Sequence, residues 1–217
     1  MLKFNVNNIG GKWIVGDNTT TPKNGIFDST ALEPILNIPS VINGKNIDEI
    51  GYYAFVRCDI LEEVIIGDGI KQINKRSFNE CPNLKSFVIP PSIEFIGEMG
   101  IHTYNSSEHD KNSSCTIECT GLGTLVITIL PNSKLSFVGD HGISRKEKMI
   151  IYFFGRRSPM FNSDPFGIKS IKEMKIYAPY TKRFLGMKTI HVQFTQCQRK
   201  RSNNNVFHIL FVSILSI

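Results

Sequence analysis

The sequence is short of several features that mark common protein classes. Its 217 residues include one Trp, 20% charged residues and 41% hydrophobic residues, a composition typical of a globular protein, which excludes a disordered chain. No apolar run of signal-peptide length stands at the N-terminus. The apolar run at the C-terminus, residues 206–217, has 12 residues, where a bilayer needs roughly 20. We therefore expect this run to cap a core as a strand or helix, with a short membrane anchor as the weaker alternative.

Signatures of catalysis and of metal binding are also missing. The five cysteines fit no zinc pattern, because Cys115 and Cys119 stand four residues apart and no second pair follows at the required spacing. The chain has no phosphate-binding loop, dinucleotide-binding fingerprint or zinc-binding helix motif. We therefore predict a protein that is not an enzyme, with no catalytic residues, cofactor or metal. A hydrolase in the C-terminal half is the least favoured alternative, and it would need His141 or His191 beside carboxylates.

One polar stretch holds the chain's best candidates for metal ligands. Residues 102–114 are rich in Asn, Ser, Glu, His and Asp, which is typical of a surface loop. His102 and His109 lie in it together with Glu108 and Asp110. A solvated loop is the favoured interpretation, and a weak metal site is the alternative.

The charge of the chain is modest. The formal net charge is +6, and Lys and Arg are spread along the sequence with acidic residues between them. The only dense basic run, residues 199–201, is interpreted as solvated surface. We predict no nucleic-acid partner, because such proteins concentrate their positive charge in a stripe or patch.

An internal repeat is the main feature of the sequence. One unit spans residues 47–69, and aligning it with the unit that begins at residue 70 brings every apolar landmark onto its counterpart. The matching columns are Ile47 with Ile70 and Ile93; Ile50 with Ile73 and Ile96; Phe55 with Phe78; Cys58 with Cys81; Leu61 with Leu84; Val64 with Phe87; and Ile66 with Ile89. One unit cannot cover its own apolar face, whereas stacked units cover each other and turn the columns into buried ladders.

The residues within the unit predict its local structure. Val64 and Ile66 alternate with Ile65, the period of two expected of a strand. The stretches that end at Phe55 and Phe78 suit short helical turns that bury the ring. Free cysteine is commonly a small buried side chain, so Cys58 and Cys81 are interpreted as core residues in a tight corner.

Charged residues support the same register. In a parallel stack, equivalent residues of successive units face each other across one strand spacing of about 4.8 Å. The predicted columns place Lys71 between Asp48 and Glu94, Arg57 beside Glu80, and Glu62 beside Lys85. Opposite charges across a ladder are favourable and like charges are not.

The repeat weakens along the chain. Residues 130–139 parallel residues 89–97 with one extra residue, and Ile171, Met174 and Ile176 repeat the positions of Leu61, Val64 and Ile66. The predicted organisation is an N-terminal cap (1–37), regular repeats (38–101), an inserted polar loop (102–114), degenerate repeats with a C-terminal cap (115–196), and a basic then apolar tail (197–217).

Residues 38–66 and 73–92 resemble the BspA-like leucine-rich repeats, clearly so over 38–101 and in degenerate form to about 190. The resemblance implies a strand-rich α/β solenoid, curved and right-handed, with a parallel sheet, short helical turns and irregular caps. It also implies surface display, adhesion to host proteins and antigenicity. Asn18, Asn105 and Asn112 match the N-glycosylation pattern and are candidate glycan sites if the protein enters a secretory route.

The favoured function is a protein-binding module, because a solenoid offers an extended surface to another protein. The outward strand residues Glu63, Ile65, Ser86 and Val88 are the candidate contacts, with Ile65 and Val88 forming a small apolar stripe. An intracellular scaffold, or a structural repeat fragment without its own ligand, is the alternative. The sequence identifies neither the partner nor the compartment.

Overall fold

The computed structural model describes residues 2–26, 31–103, 121–144, 146–162, 164–167, 171–190, 192–194, 197–201, 207–211 and 214–216. Within these ranges the chain forms strands and turns and no α-helix. In chain order the strands are β1 (Val6–Ile9), β2 (Lys12–Val15), β3 (Ile35–Ile38), β4 (Val41–Ile42), β5 (Lys45–Asn46), β6 (Glu49–Ile50), β7 (Glu63–Ile66), β8 (Gln72–Ile73), β9 (Phe78–Asn79), β10 (Ser86–Ile89), β11 (Phe95–Ile96), β12 (Ile101–His102), β13 (Gly121–Ile129), β14 (Phe137–Val138), β15 (Ile143–Ser144), β16 (Lys146–Phe153), β17 (Met160–Phe161), β18 (Glu173–Tyr177), β19 (Arg183–Phe184), β20 (Met187–Lys188), β21 (Val192–Phe194), β22 (Cys197–Arg201), β23 (Phe207–Phe211) and β24 (Ile214–Ser216).

The chain winds into a β-solenoid of about five turns. Three sheets run along its axis. The six-stranded sheet has the order β3-β7-β10-β13-β16-β18 and the three-stranded sheet the order β9-β12-β15, with every pair parallel. The seven-stranded sheet has the order β1-β2-β6-β8-β11-β14-β17 and is parallel apart from the antiparallel β1–β2 hairpin at its N-terminal end. The predicted repeat register is confirmed where β7 pairs with β10, Val64 facing Phe87, and where β6 pairs with β8, Ile50 facing Ile73.

The core consists of stacked apolar columns, as the repeat predicts. Each column takes one inward side chain per rung, and all members are at most 3% exposed. The six-stranded sheet contributes Leu36, Val64, Phe87, Ile127, Ile151 and Ile176, and the seven-stranded sheet contributes Val15, Ile50, Ile73, Ile96 and Val138. Burying one such side chain contributes about 1.5–3 kcal/mol, so each rung is stable only against its neighbours.

The predicted short helical turns around Phe55 and Phe78 are wrong. Tyr53 and Arg76, two residues before these rings, have φ of 56° and 57°, a left-handed conformation that a right-handed helix does not contain. The Phe55 N–H donates to the carbonyl oxygen of Ser77 on the next rung, at 2.8 Å. The backbone of this corner therefore bonds between rungs, as strands do, and Phe78 itself begins β9.

The register of the later rungs also differs from the prediction. Ile129, and not Leu130, faces Ile89, while Phe137 faces Phe95. Two additional residues, and not one, are therefore accommodated between these contacts. In β18, Ile176 pairs with Ile151 and so occupies the column of Val64, two positions earlier in the pattern than the sequence alignment placed it.

The C-terminal residues described in the structure form antiparallel strand pairs. β22 pairs with β23, and β21 pairs with β24. Among the described residues, no helix has the length and apolarity needed to span a membrane.

Candidate functional site

The outward side chains of the six-stranded sheet form one continuous surface, here called the sheet face. Parallel pairing aligns them in two rows, with one residue from each strand and about 4.8 Å between neighbours. The first row is Ile35, Glu63, Ser86, Val126, Ile150 and Lys175; the second is Asn37, Ile65, Val88, Thr128, Tyr152 and Tyr177. Because side chains alternate along each strand, these rows lie on the opposite side of the sheet from the core.

The sheet face contains all four of the predicted contact residues. Ser86 lies beside Glu63, and Val88 lies beside Ile65, in adjacent strands. All four side chains are half-buried, because each packs against its neighbours in the row while its tip faces outward. The structure thus brings these residues together, and Ile65 and Val88 stand side by side between Asn37 and Thr128.

Sequence reasoning missed the C-terminal half of the sheet face. Val126 and Ile150 extend the first row, and Tyr152 and Tyr177 end the second. The two tyrosine rings stack with centroids 5.4 Å apart and planes 18° from parallel. Burial, and then the neighbouring Tyr177, raises the pKa of Tyr152. The period-two alternation of residues 146–153 could have identified the outward positions, had the rung been aligned correctly.

Apart from Glu63 in the first row, the charged groups of the sheet face lie at one margin, where Lys148 and Lys175 both pair with Glu173. Lys175 Nζ is 2.7 Å from Glu173 Oε1, and Lys148 Nζ is 3.9 Å from Glu173 Oε2. The hydrogen bond and charge of Lys175 lower the pKa of Glu173. An apolar centre with a paired, polar margin is the usual anatomy of a protein–protein interface.

Of the three candidate glycosylation sites, Asn18 lies among the described residues. Asn18 is half-buried with φ of 55°, and its Oδ1 accepts a hydrogen bond from the Tyr52 N–H at 2.9 Å. Asn105 and Asn112 lie outside the described residues. Glycan attachment at all three therefore stays a prediction.

The histidines take different positions. His102 is buried in β12, whereas His109, Glu108 and Asp110 lie outside the described residues. No group of three or more metal-ligating side chains occurs in the described part of the chain.

His141 is the histidine that the hydrolase alternative needs beside a carboxylate. Its Nδ1 is 2.9 Å from Asp140 Oδ2, so one neighbouring carboxylate is present. The nearby Ser144 hydroxyl donates to the His141 carbonyl oxygen at 2.9 Å instead of to the imidazole. This serine is fully buried. Its hydrogen bond therefore stabilises the corner of one rung, and its hydroxyl is not accessible as a nucleophile. His191 lies outside the described residues.

The charge distribution differs from the even spread that was expected. Residues 1–143 contain 11 Lys or Arg and 16 Asp or Glu, whereas residues 144–217 contain 14 and 3. Among the described residues, 2–143 contain 10 Lys or Arg and 12 Asp or Glu, and 144–190 contain 9 and 3. Sequence position follows the axis of a solenoid, so the early rungs are slightly acidic and the late rungs basic. The signal was visible in the sequence, because no acidic residue follows Glu173.

The repeated columns, parallel ladders and single continuous core define a repeat solenoid, a class that typically serves as a non-enzymatic binding scaffold. Residues 17–118 match the family model of the BspA type leucine rich repeat region in six copies. No curated protein and no solved structure gives a significant match.

Proposed function

We propose that the chain is a protein-binding module that is not an enzyme and that the sheet face is its contact surface. The observation that carries the proposal is the outward row in which Ile65 and Val88 stand side by side in register. Apolar side chains at outward positions are unfavourably exposed to water unless something covers them. Burying them on binding is favourable by about 25 cal/mol per Å² of apolar surface. Ile35, at 52% exposed, and Ile150 extend this apolar surface along the first row.

The experiment compares two double variants of the full chain as bait. Ile65→Lys with Val88→Lys places two charges in the centre of the sheet face. Ile60→Lys with Val41→Lys makes the same chemical change at exposed positions elsewhere, where the side chains are 48% and 52% exposed.

Proteins captured by each bait are quantified by mass spectrometry, and each candidate is then purified and titrated by calorimetry. A specific partner should lose at least about tenfold in affinity to the sheet-face variant, because two buried charges without partners cost several kcal/mol. The control variant should keep its affinity within about twofold. A set of partners that does not distinguish the two variants would refute the sheet face as the contact surface.

The finer proposal is a surface antigen or adhesin that contacts host proteins. Its support is the BspA type of the repeat, since proteins of this family are often associated with the cell surface. Labelling of intact cells with a membrane-impermeant reagent, followed by glycosidase treatment, tests display and glycosylation together. Labelling with a mobility shift would support the adhesin. A protein that is neither labelled nor shifted would instead be an intracellular scaffold or a fragment without its own ligand.

A further inference from the structure

Five cations stand close together at one corner of the last two rungs. β16 and β18 are neighbours in the six-stranded sheet, so the segments that follow them leave the sheet at the same edge. The first segment carries Arg156 and Arg157, and the second leads into the β19–β20 hairpin. Arg156, Arg157, Lys182, Arg183 and Lys188 are all exposed, and we call these five residues the basic corner.

Contacts between the two segments hold the basic corner together. The Leu185 N–H donates to the Ser158 hydroxyl at 2.8 Å, which fixes the hairpin beside the first segment. Arg183 and Lys188 are directly paired across the hairpin. The Arg183 Nη1 donates to the Gly186 carbonyl oxygen at 2.7 Å, so this guanidinium is held in place by backbone.

The basic corner lacks acidic partners within the described part of the chain. None of its five side chains forms an ion pair with an Asp or Glu of the described residues, whereas Lys148, Lys172 and Lys175 on the same rungs all do. Five like charges in a small area repel one another, and an anionic surface relieves that repulsion.

Two exposed aromatic side chains adjoin the same corner. Tyr180 is 63% exposed and Phe161 41%. The Arg156 guanidinium lies over the Tyr180 ring, 5.9 Å from its centroid. Gly186 of the hairpin approaches the Phe161 ring so closely that a Cβ there would lie 3.0 Å from it. The cations and the apolar side chains therefore belong to one patch.

We propose that this patch binds the surface of an anionic lipid bilayer. A bilayer interface accepts both parts of the patch, because lipid headgroups attract the cations while Phe and Tyr side chains enter the boundary with the acyl chains. A soluble polyanion, such as a sulfated glycan or a nucleic acid, would satisfy the cations and leave the exposed ring of Phe161 in water. The apolar side chains thus favour a membrane over a soluble polyanion.

The charge gradient along the axis orients the protein on such a surface. The acidic early rungs lie three or four strand spacings from the basic corner, roughly 15–20 Å at about 4.8 Å per rung. The Debye length is about 8 Å at physiological ionic strength, so the lipid charge is largely screened at the acidic rungs. The basic corner therefore faces the bilayer without opposition from the acidic end.

Co-sedimentation of the full chain with vesicles tests the proposal. Vesicles of phosphatidylcholine are compared with vesicles containing about 30% phosphatidylserine at about 0.1 M salt. We expect binding to the anionic vesicles, weakening with salt, and little binding to the neutral ones. Arg157→Gln with Lys188→Gln should weaken binding about 25-fold, at about fivefold for each charge. Lys71→Gln with Lys85→Gln, the matched control on the acidic rungs, should change it less than about threefold, because those lysines are distant and screened.

The apolar residues supply the decisive arm of the experiment. Phe161→Ser with Tyr180→Ser keeps every charge and should weaken vesicle binding about tenfold by removing the inserted side chains. Tyr180 is 63% exposed and Phe161 41%, so the variant should remain folded, which thermal unfolding checks. If this variant binds vesicles normally, and heparin or single-stranded RNA competes, the patch is a site for soluble polyanions and the membrane proposal fails. If all variants bind alike, residues 197–217 carry the attachment and the proposal also fails. Absence of any preference for anionic vesicles overturns it directly.

Discussion

Phe55 and Phe78, which hold the same position in successive repeats, stack with ring centroids 5.1 Å apart and planes 9° from parallel. The separation is close to the spacing of about 4.8 Å between neighbouring strands, so the rings face each other because the rungs do. Phe78 also meets the edge of Phe87 at 5.0 Å and 84°. One aromatic side chain thus joins two rungs and two sheets of the solenoid.

This arrangement predicts a large loss of stability on truncation of Phe78. Phe78→Ala removes a fully buried ring and leaves a cavity between two rungs, which should lower the free energy of unfolding by about 3–5 kcal/mol. Phe137→Ala is the control, because Phe137 stacks on Phe95 at 5.2 Å but is only half-buried. Phe137→Ala should lower the free energy of unfolding by only about 1–2 kcal/mol. Equal losses in urea unfolding would mean that the ladder around Phe78 contributes no more than an exposed stack.

The core of the solenoid could be predicted from sequence because its signal is additive. All seven columns repeat at the same offset of 23 residues. Only one register buries all of them at once, so no other alignment competes with it. The charge columns agreed with that register. The structure has Arg57 Nε 2.7 Å from Glu80 Oε2 and Lys85 Nζ 2.8 Å from Glu62 Oε1.

The corners and the late rungs could not be predicted, because their structure depends on single residues and local insertions and not on a pattern that repeats at one offset. The positive φ of Tyr53 prevents a right-handed helical turn before Phe55, and the identity of a tyrosine does not indicate positive φ. In the late rungs the insertions change the offset, so that Ile151 pairs with Ile176 instead of with Met174, the partner that the regular repeat predicts. The basic corner was missed because its members come from segments that only the fold brings together.

The left-handed backbone conformation found at the corners leads to a prediction for Met99. Its φ is 52°, and it lies between Gly97 and Gly100, whose backbones are joined by a 3.0 Å hydrogen bond. Met99→Gly should keep or raise stability, because glycine adopts this conformation without strain. Met99→Val should lower the unfolding free energy by about 1 kcal/mol or more, because a β-branched residue is strained there. The prediction fails if Val is tolerated as well as Gly in thermal or urea unfolding.

The two cysteines of the repeat should be unreactive in the folded protein. Cys58 and Cys81 are both fully buried, and burial raises the pKa of Cys81, followed by the effect of Cys58 beside it. A variant with Cys115, Cys119 and Cys197 replaced by Ser isolates this pair. Its thiols should react with an aromatic disulfide reagent only at the rate of unfolding, because the reactive species is the thiolate.

The pH dependence of that thiol has a definite sign. A thiol with a raised pKa holds its proton more tightly in the folded state, so its stabilising contribution is complete below the ordinary pKa of about 8.5. The contribution is lost as pH rises above that value. The unfolding free energy of the triple-Ser variant should therefore fall at alkaline pH, and Cys81→Ala should reduce that fall. Rapid labelling at neutral pH would contradict the burial of the pair.

The pair Lys172 and Glu147 offers a test of the inter-rung charge contacts in solution. Lys172 Nζ donates to Glu147 Oε1 at 2.8 Å, and this hydrogen bond, followed by the charge of Lys172, lowers the pKa of Glu147. A carboxylate with a lowered pKa stabilises the folded state above the ordinary value of about 4.3, and the contribution disappears as pH falls through the lowered value. Lys172→Met should therefore raise the pKa of Glu147, measured by carboxyl-carbon NMR. Lys134→Met, which removes an exposed lysine without this contact, should leave the titration unchanged. If Glu147 titrates identically in all three proteins, the ion pair does not persist in water, and apolar columns alone would hold the late rungs in register.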